Sequence, residues 1–405
     1  MFSRQNLALL FILFTVALDA IGIGLIFPVM PDLMQAVTGQ SLSEAAFWGG
    51  ILASSFAVMQ FLFGPVVGNL SDHFGRRPVL MVSLAVMALD YMAMAVAQTV
   101  WLLLAARLIA GVAAATHSTA FAYVADISSP DERGKRFGLI GAGFGLGFVA
   151  GPMLGGLLAG IDVRAPFWAA AGLALANLVF GYFVLPESLA QDKRRVFSLA
   201  RANPMGSLQA VRKLPGLQWL LVVAFFYAVC DNVWPAVWSY YGKAAFGWDA
   251  RVVGMALAFF GICMALTQAL VVGPMIKRFG ERRTAVIGMV LEVVIYSFYG
   301  LAGSGFWAIA FTPIAALGGV GGPALQGMMS RAVPEDQQGE LQGVHSSLRA
   351  LAMIVAPLTM TWVFGVFTSV SAPIYLPGAP FLLSAAVMVG VVILFVAGTR
   401  EKPAA

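Results

Sequence analysis

A charged motif set between apolar stretches, Gly68-Asn69-Leu70-Ser71-Asp72-His73-Phe74-Gly75-Arg76-Arg77, recurs 205 positions later as Gly273-Pro274-Met275-Ile276-Lys277-Arg278-Phe279-Gly280-Glu281-Arg282. The same offset lays Gly134 on Gly339, Gly138 on Gly343 and Pro152 on Pro357, so one half of the chain repeats the other. A duplication of this size restricts the fold to two matched modules. Composition decides their solvent. Hydrophobic residues make up 60% of the chain and only 11% are charged, where a soluble domain carries about 25% charged residues. Matched apolar halves facing a central path are one way to build alternating access, so the pattern points to a membrane transporter.

Twelve apolar runs can be traced, near residues 7–29, 47–68, 78–97, 100–124, 137–160, 166–185, 218–240, 251–274, 284–303, 306–330, 341–368 and 379–398. Each has the roughly 20 residues needed to cross about 30 Å of hydrocarbon, and they are called spans one to twelve below. The first is too long for a signal-peptide core and is read as a retained helix. The expected fold is therefore an all-α integral membrane protein, with twelve transmembrane helices in two pseudo-symmetric six-helix bundles. The first bundle covers 1–185 and the second 218–405. A cytoplasmic linker over 186–217 joins them and is too short and polar to bury a core of its own.

The net charge of +5 raises the question of nucleic acid. Its distribution answers it: 19 of the 24 basic residues fall on the even-side loops and tails, among them Arg76, Arg77, Arg194, Arg201, Arg212, Lys277, Arg282 and Lys402. Positive charge marks the cytoplasmic side. Both termini are expected there, and no nucleic-acid partner is. The two cysteines, Cys230 and Cys263, lie inside spans, which excludes a disulfide framework or a cysteine metal cluster. The histidines show no metal-site spacing, and neither a metal nor a cofactor is expected.

Six charged residues stand inside the spans: Asp19, Asp90, Arg107, Asp231, Glu292 and Arg349. Each costs on the order of 2.5–3.5 kcal/mol at a helix centre, which makes such residues functional candidates. Asp90 lies roughly 18 Å from one end of span three, and Arg107 roughly 10 Å from the opposite face in span four, so an ion pair between them is allowed. Glu292 lies roughly 12 Å into span nine, where a low dielectric penalises the charge on a lone carboxylate, and it is placed to bind and release a proton. Asp231 opens Asp231-Asn232-Val233-Trp234-Pro235, whose proline should kink or break span seven. Arg349 is expected to pair with Asp231 or Glu292, or to meet an anionic substrate. Some of these charges have a plainer alternative, that of stitching helices together. Trp234 and Trp238 read as a substrate wall or an interfacial belt, and Tyr240 and Tyr241 as belt.

Span five is rich in glycine, with Gly138, Gly147, Gly151-Pro152 and Gly155-Gly156 among its residues. A nucleotide-binding loop needs a preceding strand and a phosphate-facing helix start, and this run has neither. Small-xxx-small spacing instead predicts a helix that lies very close to its neighbour.

The motif Gly68 to Arg77, the run Arg107-Leu108-Ile109-Ala110-Gly111 and the span-five glycines together resemble the major facilitator superfamily, within it the twelve-span drug/proton antiporters. Leu18-Asp19-Ala20-Ile21-Gly22, Leu89-Asp90-Tyr91 and Pro323-Ala324-Leu325-Gln326-Gly327 are similar to the tetracycline/proton antiporter branch. The resemblance covers nearly the whole chain. It implies a monomer of the bacterial inner (cytoplasmic) membrane, surrounded by the lipid bilayer, with protons and a small-molecule drug as its partners and no enzymatic activity. Asp19, Asp90, Arg107 and Glu292 would serve proton coupling. The matched glutamines Gln60 and Gln268 would line the substrate cavity; Asp231, Trp234, Met264, Gln326 and Arg349 are read as cavity residues beside them, Asp231 and Arg349 standing outside the family's pattern. Gly68, Asp72, Gly75, Arg76, Arg77 and Asp126 would form a conformational gate, with Asp72 against the start of span eleven and Arg76 or Arg77 reaching Asp126. Gly138, Gly147, Gly151, Pro152, Gly155 and Gly156 would be the antiporter motif, which argues against a symporter or a facilitator. Two positions depart from the branch: Glu292 stands where aspartate is usual, and Met264 where many members have histidine. Lys277 replaces Asp72 in the second half, so the gate should be asymmetric.

Overall fold

The computed structural model describes residues 4–114, 116–198, 203, 206, 217–334 and 337–399. Of the linker expected over 186–217, residues 199–202, 204–205 and 207–216 lie outside the described residues, Arg201, Arg212 and Lys213 among them, as does Lys402. The described chain is helical, with no strand among the described residues. Among the described residues, eleven helices are long and apolar enough to cross a membrane. Span ten covers its expected residues in three pieces, Gly305–Ala310, Thr312–Gly318 and Gly321–Arg331. The breaks follow the prolines. The ring of a helical proline clashes with the carbonyl four residues before it, and Pro323 sets that clash on Gly319.

The same rule accounts for two other interruptions. Span seven runs Gln218–Asp231 and resumes as Val233–Phe246, and Pro235 stands four residues after Asp231, as the sequence led us to expect. Span eight stops at Leu270, four residues before Pro274, and the chain continues in Val272–Leu301. Span four also breaks, into Val100–Ala113 and Thr116–Ile127, and no proline marks it.

The repeated motif is less of a loop than its polar residues suggest. Span two is one helix of 33 residues, Leu42–Phe74, and span three starts at Arg76, so the connection is Gly75 alone. A turn of one residue requires a left-handed backbone, and Gly75 has φ 109°. Its repeat partner Gly280, inside Val272–Leu301, has φ 76°. Glycine is the residue that enters this region without steric cost. The duplication read from the sequence therefore reappears in the backbone.

The chain divides into two compact units: Met1–Gln40, Ser55–Pro204 and Asp249–Ala258 form one, and Ser41–Ser54, Met205–Trp248 and Phe259–Ala405 the other. In the first, span one (Arg4–Ile26) packs along span five (Pro130–Ala159). Its core holds Phe11, Ile12, Val16, Leu80, Tyr123 and Ile140, with a second cluster around Leu25, Met87 and Tyr91. In the second, the aromatic rings of spans seven, nine (within Val272–Leu301) and twelve (Ala379–Gly398) fill the interior. Trp234 has the rings of Trp238, Phe260, Tyr296, Tyr299 and Phe381 within 6.0 Å. Tyr240 and Tyr241 belong to this interior rather than to an interfacial belt: both are buried. Tyr241 donates its hydroxyl to the Tyr299 carbonyl at 2.6 Å, a partner that frees the ring from having to reach water. Exposed Trp101, Trp168 and Trp307, at or near the ends of spans four, six and ten, are better placed for a belt.

Candidate functional site

Within the first unit, helix-to-helix packing brings Asp90 of span three (Arg76–Val96) against Arg107 of span four. Arg107 Nε donates to Asp90 Oδ1 at 3.1 Å, and the Nη2 group meets Oδ2, so the guanidinium and carboxylate face each other fork to fork. The Asp90 side chain is 1% exposed and that of Arg107 is 14% exposed. The guanidinium also lies over the Phe56 ring, 5.2 Å from its centre, where a cation is attracted to the π face. The ion pair that the sequence allowed is therefore formed. Asp19 on span one is half-buried and within electrostatic range of Tyr91, whose buried hydroxyl has no hydrogen-bond partner among the described residues.

The span-five glycines sort by what they touch. A methyl group at Gly147 would run into the Ala17 carbonyl, and one at Gly151 would come 2.7 Å from the Ile21 oxygen and 2.8 Å from the Gly24 Cα. Gly155 faces Leu25, and Gly156 faces Ala250 and Arg251. Pro152 lies inside the helix, against Gly24. Gly138 and Gly68 face open space.

At the repeated motif, Arg76 joins two acids. Its Nη1 donates to Asp72 Oδ1 at 2.6 Å and its Nε to Asp126 Oδ2 at 3.1 Å. Arg77 donates to the Tyr182 carbonyl at 2.6 Å. Sequence reasoning missed Glu187. Its carboxylate accepts from the backbone N–H groups of Arg76 (2.8 Å), Arg77 (3.2 Å), Ser188 (3.0 Å) and Leu189 (3.0 Å). It caps the helix that Gly75 opens without a capping side chain. The available signal was an acid after the proline that ends span six, since a helix start attracts a carboxylate. A second omission emerges from the repeat. Adding 205 to Arg76 and Asp126 gives Glu281 and Arg331, and these two pair at 3.0 Å. The ion pair is present in both halves with its charges exchanged, a more specific asymmetry than Lys277 alone implied.

The second unit holds Asp231, Trp234, Met264, Gln268, Glu292, Gln326 and Arg349. Glu292 is 4% exposed. Its carboxyl packs against Gly318, where any side chain would collide with it. Its Oε2 is out of solvent and has no hydrogen-bond partner among the described residues, and the Tyr296 hydroxyl lies beside it outside hydrogen-bond geometry. Asp231 and Glu292 are within electrostatic range, as are Asp231 and Arg349. Asp231 and Arg349 are both exposed, and no ion pair within 4 Å joins them among the described residues. Met264 packs on Gly319. Gln326 is exposed on Gly321–Arg331 and joins none of these contacts among the described residues.

The two glutamines do something that sequence did not suggest. Gln60 Nε2 donates to the Ala114 carbonyl at 3.3 Å, and Gln268 Nε2 to the Gly319 carbonyl at 3.4 Å. Ala114 and Gly319 are the break points of spans four and ten, and they too stand 205 apart. Each glutamine occupies a carbonyl that the interrupted helix leaves open, a requirement wherever no lipid group can hydrogen-bond.

Comparison with known proteins assigns these duplicated membrane helices to a family. The model of the Major Facilitator Superfamily matches residues 12–239 and 227–405. The chain belongs to the major facilitator superfamily. It is a multi-pass membrane protein of that fold. Among curated relatives, it is 42% identical to the tetracycline resistance protein, class C, of Escherichia coli, over 94% of this chain and 97% of that protein. It is 33% identical to the class B protein of the same organism, over 88% of each. A bacterial homolog of the human lysosomal transporter Spinster, solved inward-facing and occupied, superposes with a TM-score of 0.80 at 16% identity, over 98% of both chains. This facilitator thus shares its fold widely and its sequence with drug-resistance proteins.

Proposed function

We propose that this facilitator is a proton-coupled antiporter of the bacterial cytoplasmic membrane that exports an amphipathic small molecule, a tetracycline-type antibiotic being the substrate. Identity of 42% to a tetracycline resistance protein over 94% of the chain supports that substrate class. The coupling rests on one observation: Glu292 is sealed inside a span with Oε2 unpartnered, where a charge is costly and a proton removes the cost. Proton uptake from outside neutralises Glu292 or Asp19 and releases the drug. Loss of the proton toward the cytoplasm restores affinity for the next molecule. Two bundles, 1–185 and 218–405, rock about a midplane cavity and are joined by a cytoplasmic linker over 186–217, with both termini in the cytoplasm and one chain as the working unit.

In this scheme Asp90 and Arg107 hold spans three and four in register, and the Asp72–Arg76–Asp126 network is the latch that reports which side is open. Gln60, Gln268, Gln326, Trp234 and Met264 line the path. Inverted vesicles loaded with a pH-sensitive dye test the proposal. Tetracycline uptake should move protons opposite to the drug, and Glu292→Gln or Asp19→Asn should abolish proton-driven uptake while the protein still folds. Proton movement in the same direction as the drug would make it a symporter. Original rates in both variants would refute the assignment of the coupling acids.

A further inference from the structure

Asp231 and Arg349 are the two span charges least expected from the family resemblance, and the structure leaves both open. They lie in one unit, on spans seven and eleven (Gln338–Thr368), and are within electrostatic range of each other. Both side chains are exposed. Exposure of a charge at membrane depth means an aqueous cavity, since lipid does not tolerate it. The surroundings of Asp231 identify the cavity side. Its electrostatic neighbours are Glu292, Tyr227, Cys230 and Tyr296, all groups of the unit's interior. The helix is interrupted here, ending at Asp231 four residues before Pro235. One turn further on, Trp234 presents a wall of rings.

An acid and an arginine within electrostatic range in the bilayer would gain by closing into a salt bridge, as Asp90 and Arg107 do. They stay apart on different helices, with no ion pair within 4 Å between them among the described residues, and Trp234 stands one turn from the acid. We infer that Asp231 and Arg349 form a split ion pair that selects zwitterionic amphiphiles, with Asp231 receiving the substrate's ammonium group and Arg349 its anionic oxygens. The aromatic wall at Trp234 takes the apolar body between the two charges. Arginine suits the anionic end because its planar fork matches a pair of oxygens. The two charges act by discrimination: an analogue that lacks one charge leaves its partner in the cavity unmatched.

The inference rests on the export reading above and deepens it with a substrate class. Its test is a binding titration on the full chain in lipid nanodiscs, following tryptophan quenching, with tetracycline and 4-dedimethylamino-tetracycline as probes. Tetracycline carries both charges and the analogue lacks the ammonium. Wild type should prefer tetracycline by about tenfold or more. Asp231→Asn should reduce that preference to less than about twofold while leaving affinity for the analogue unchanged. Arg349→Gln should weaken both probes by similar factors. Equal losses for both probes in Asp231→Asn, or an undiminished preference, would overturn the inference and leave Asp231 a structural residue. If wild type binds neither tetracycline, the export reading loses its substrate. The split pair is then judged on ciprofloxacin, a zwitterion, against its methyl ester, a cation. There Arg349→Gln should erase the preference, and absence of any preference would overturn the inference independently. A heating scan of each variant by size exclusion confirms that the protein tested is folded.

Discussion

Arg107→Gln isolates the energetics of the charged centre in the first unit. In the native protein two contacts join the guanidinium to Asp90, and the aspartate is 1% exposed. Removing one member of a buried pair costs about 3–5 kcal/mol, because the surviving charge has neither its partner nor water. The Phe56 ring under the guanidinium adds about 0.5–2 kcal/mol of cation–π attraction that glutamine does not recover. The single variant should therefore be severely destabilised, by about 3 kcal/mol or more. Arg107→Lys keeps the charge but replaces the fork by a point donor, with an expected cost of about 1–2 kcal/mol. Asp90→Asn with Arg107→Gln removes both charges together and should return most of the lost stability. Thermal stability in mild detergent, read as the fraction remaining monodisperse after a heating series, ranks the four proteins. A single variant as stable as wild type, or a double variant no better than the single, would refute the view that a stranded charge sets the cost.

At Gly151, alanine gains helix propensity but its methyl meets the Ile21 oxygen and the Gly24 Cα. Gly151→Ala should lower thermal stability and drug export, whereas Gly145→Ala, into open space, should raise stability by about 0.5–1 kcal/mol; equal behaviour would mean that spans one and five are not in close contact. Glu187→Ala removes the acceptor for four backbone N–H groups and should cost about 1–2 kcal/mol, as loss of a helix cap does, with faster proteolysis near residues 186–195. Gln60→Leu strands the Ala114 carbonyl and Gln268→Leu the Gly319 carbonyl, each worth about 1–3 kcal/mol; hydrogen exchange at the break in span four should rise in the first variant and at that in span ten in the second.

The duplication, the helical class and the positions of the spans were legible because each rests on a local property: apolar length, proline placement or a repeated motif. The Asp90–Arg107 pair was legible as a possibility, since depth along a helix follows from sequence distance, whereas the azimuth that brings the groups together depends on packing. The break at Ala114 was not legible, because no proline or glycine pair announces it. Glu187 was hidden by its ordinary position after a span, and its role exists only once Gly75 turns the chain toward it. The burial of Tyr240 and Tyr241 was missed because a tyrosine near a span end reads as interfacial until a partner for its hydroxyl is known, and for Tyr241 that partner is a carbonyl 58 positions away.

Span ten has a consequence for how the chain is made. Its three helical pieces have 6, 7 and 11 residues, each shorter than the ~12–15 residues at which an isolated helix becomes even marginally stable in water, and its breaks leave carbonyls that hydrocarbon cannot satisfy. As it leaves the ribosome, this segment lacks the means to complete itself as an independent bilayer element. Its insertion must wait on helices already in place, among them the one that supplies Gln268, so nascent chains halted soon after residue 331 should be poor at retaining it in the bilayer when that glutamine is missing.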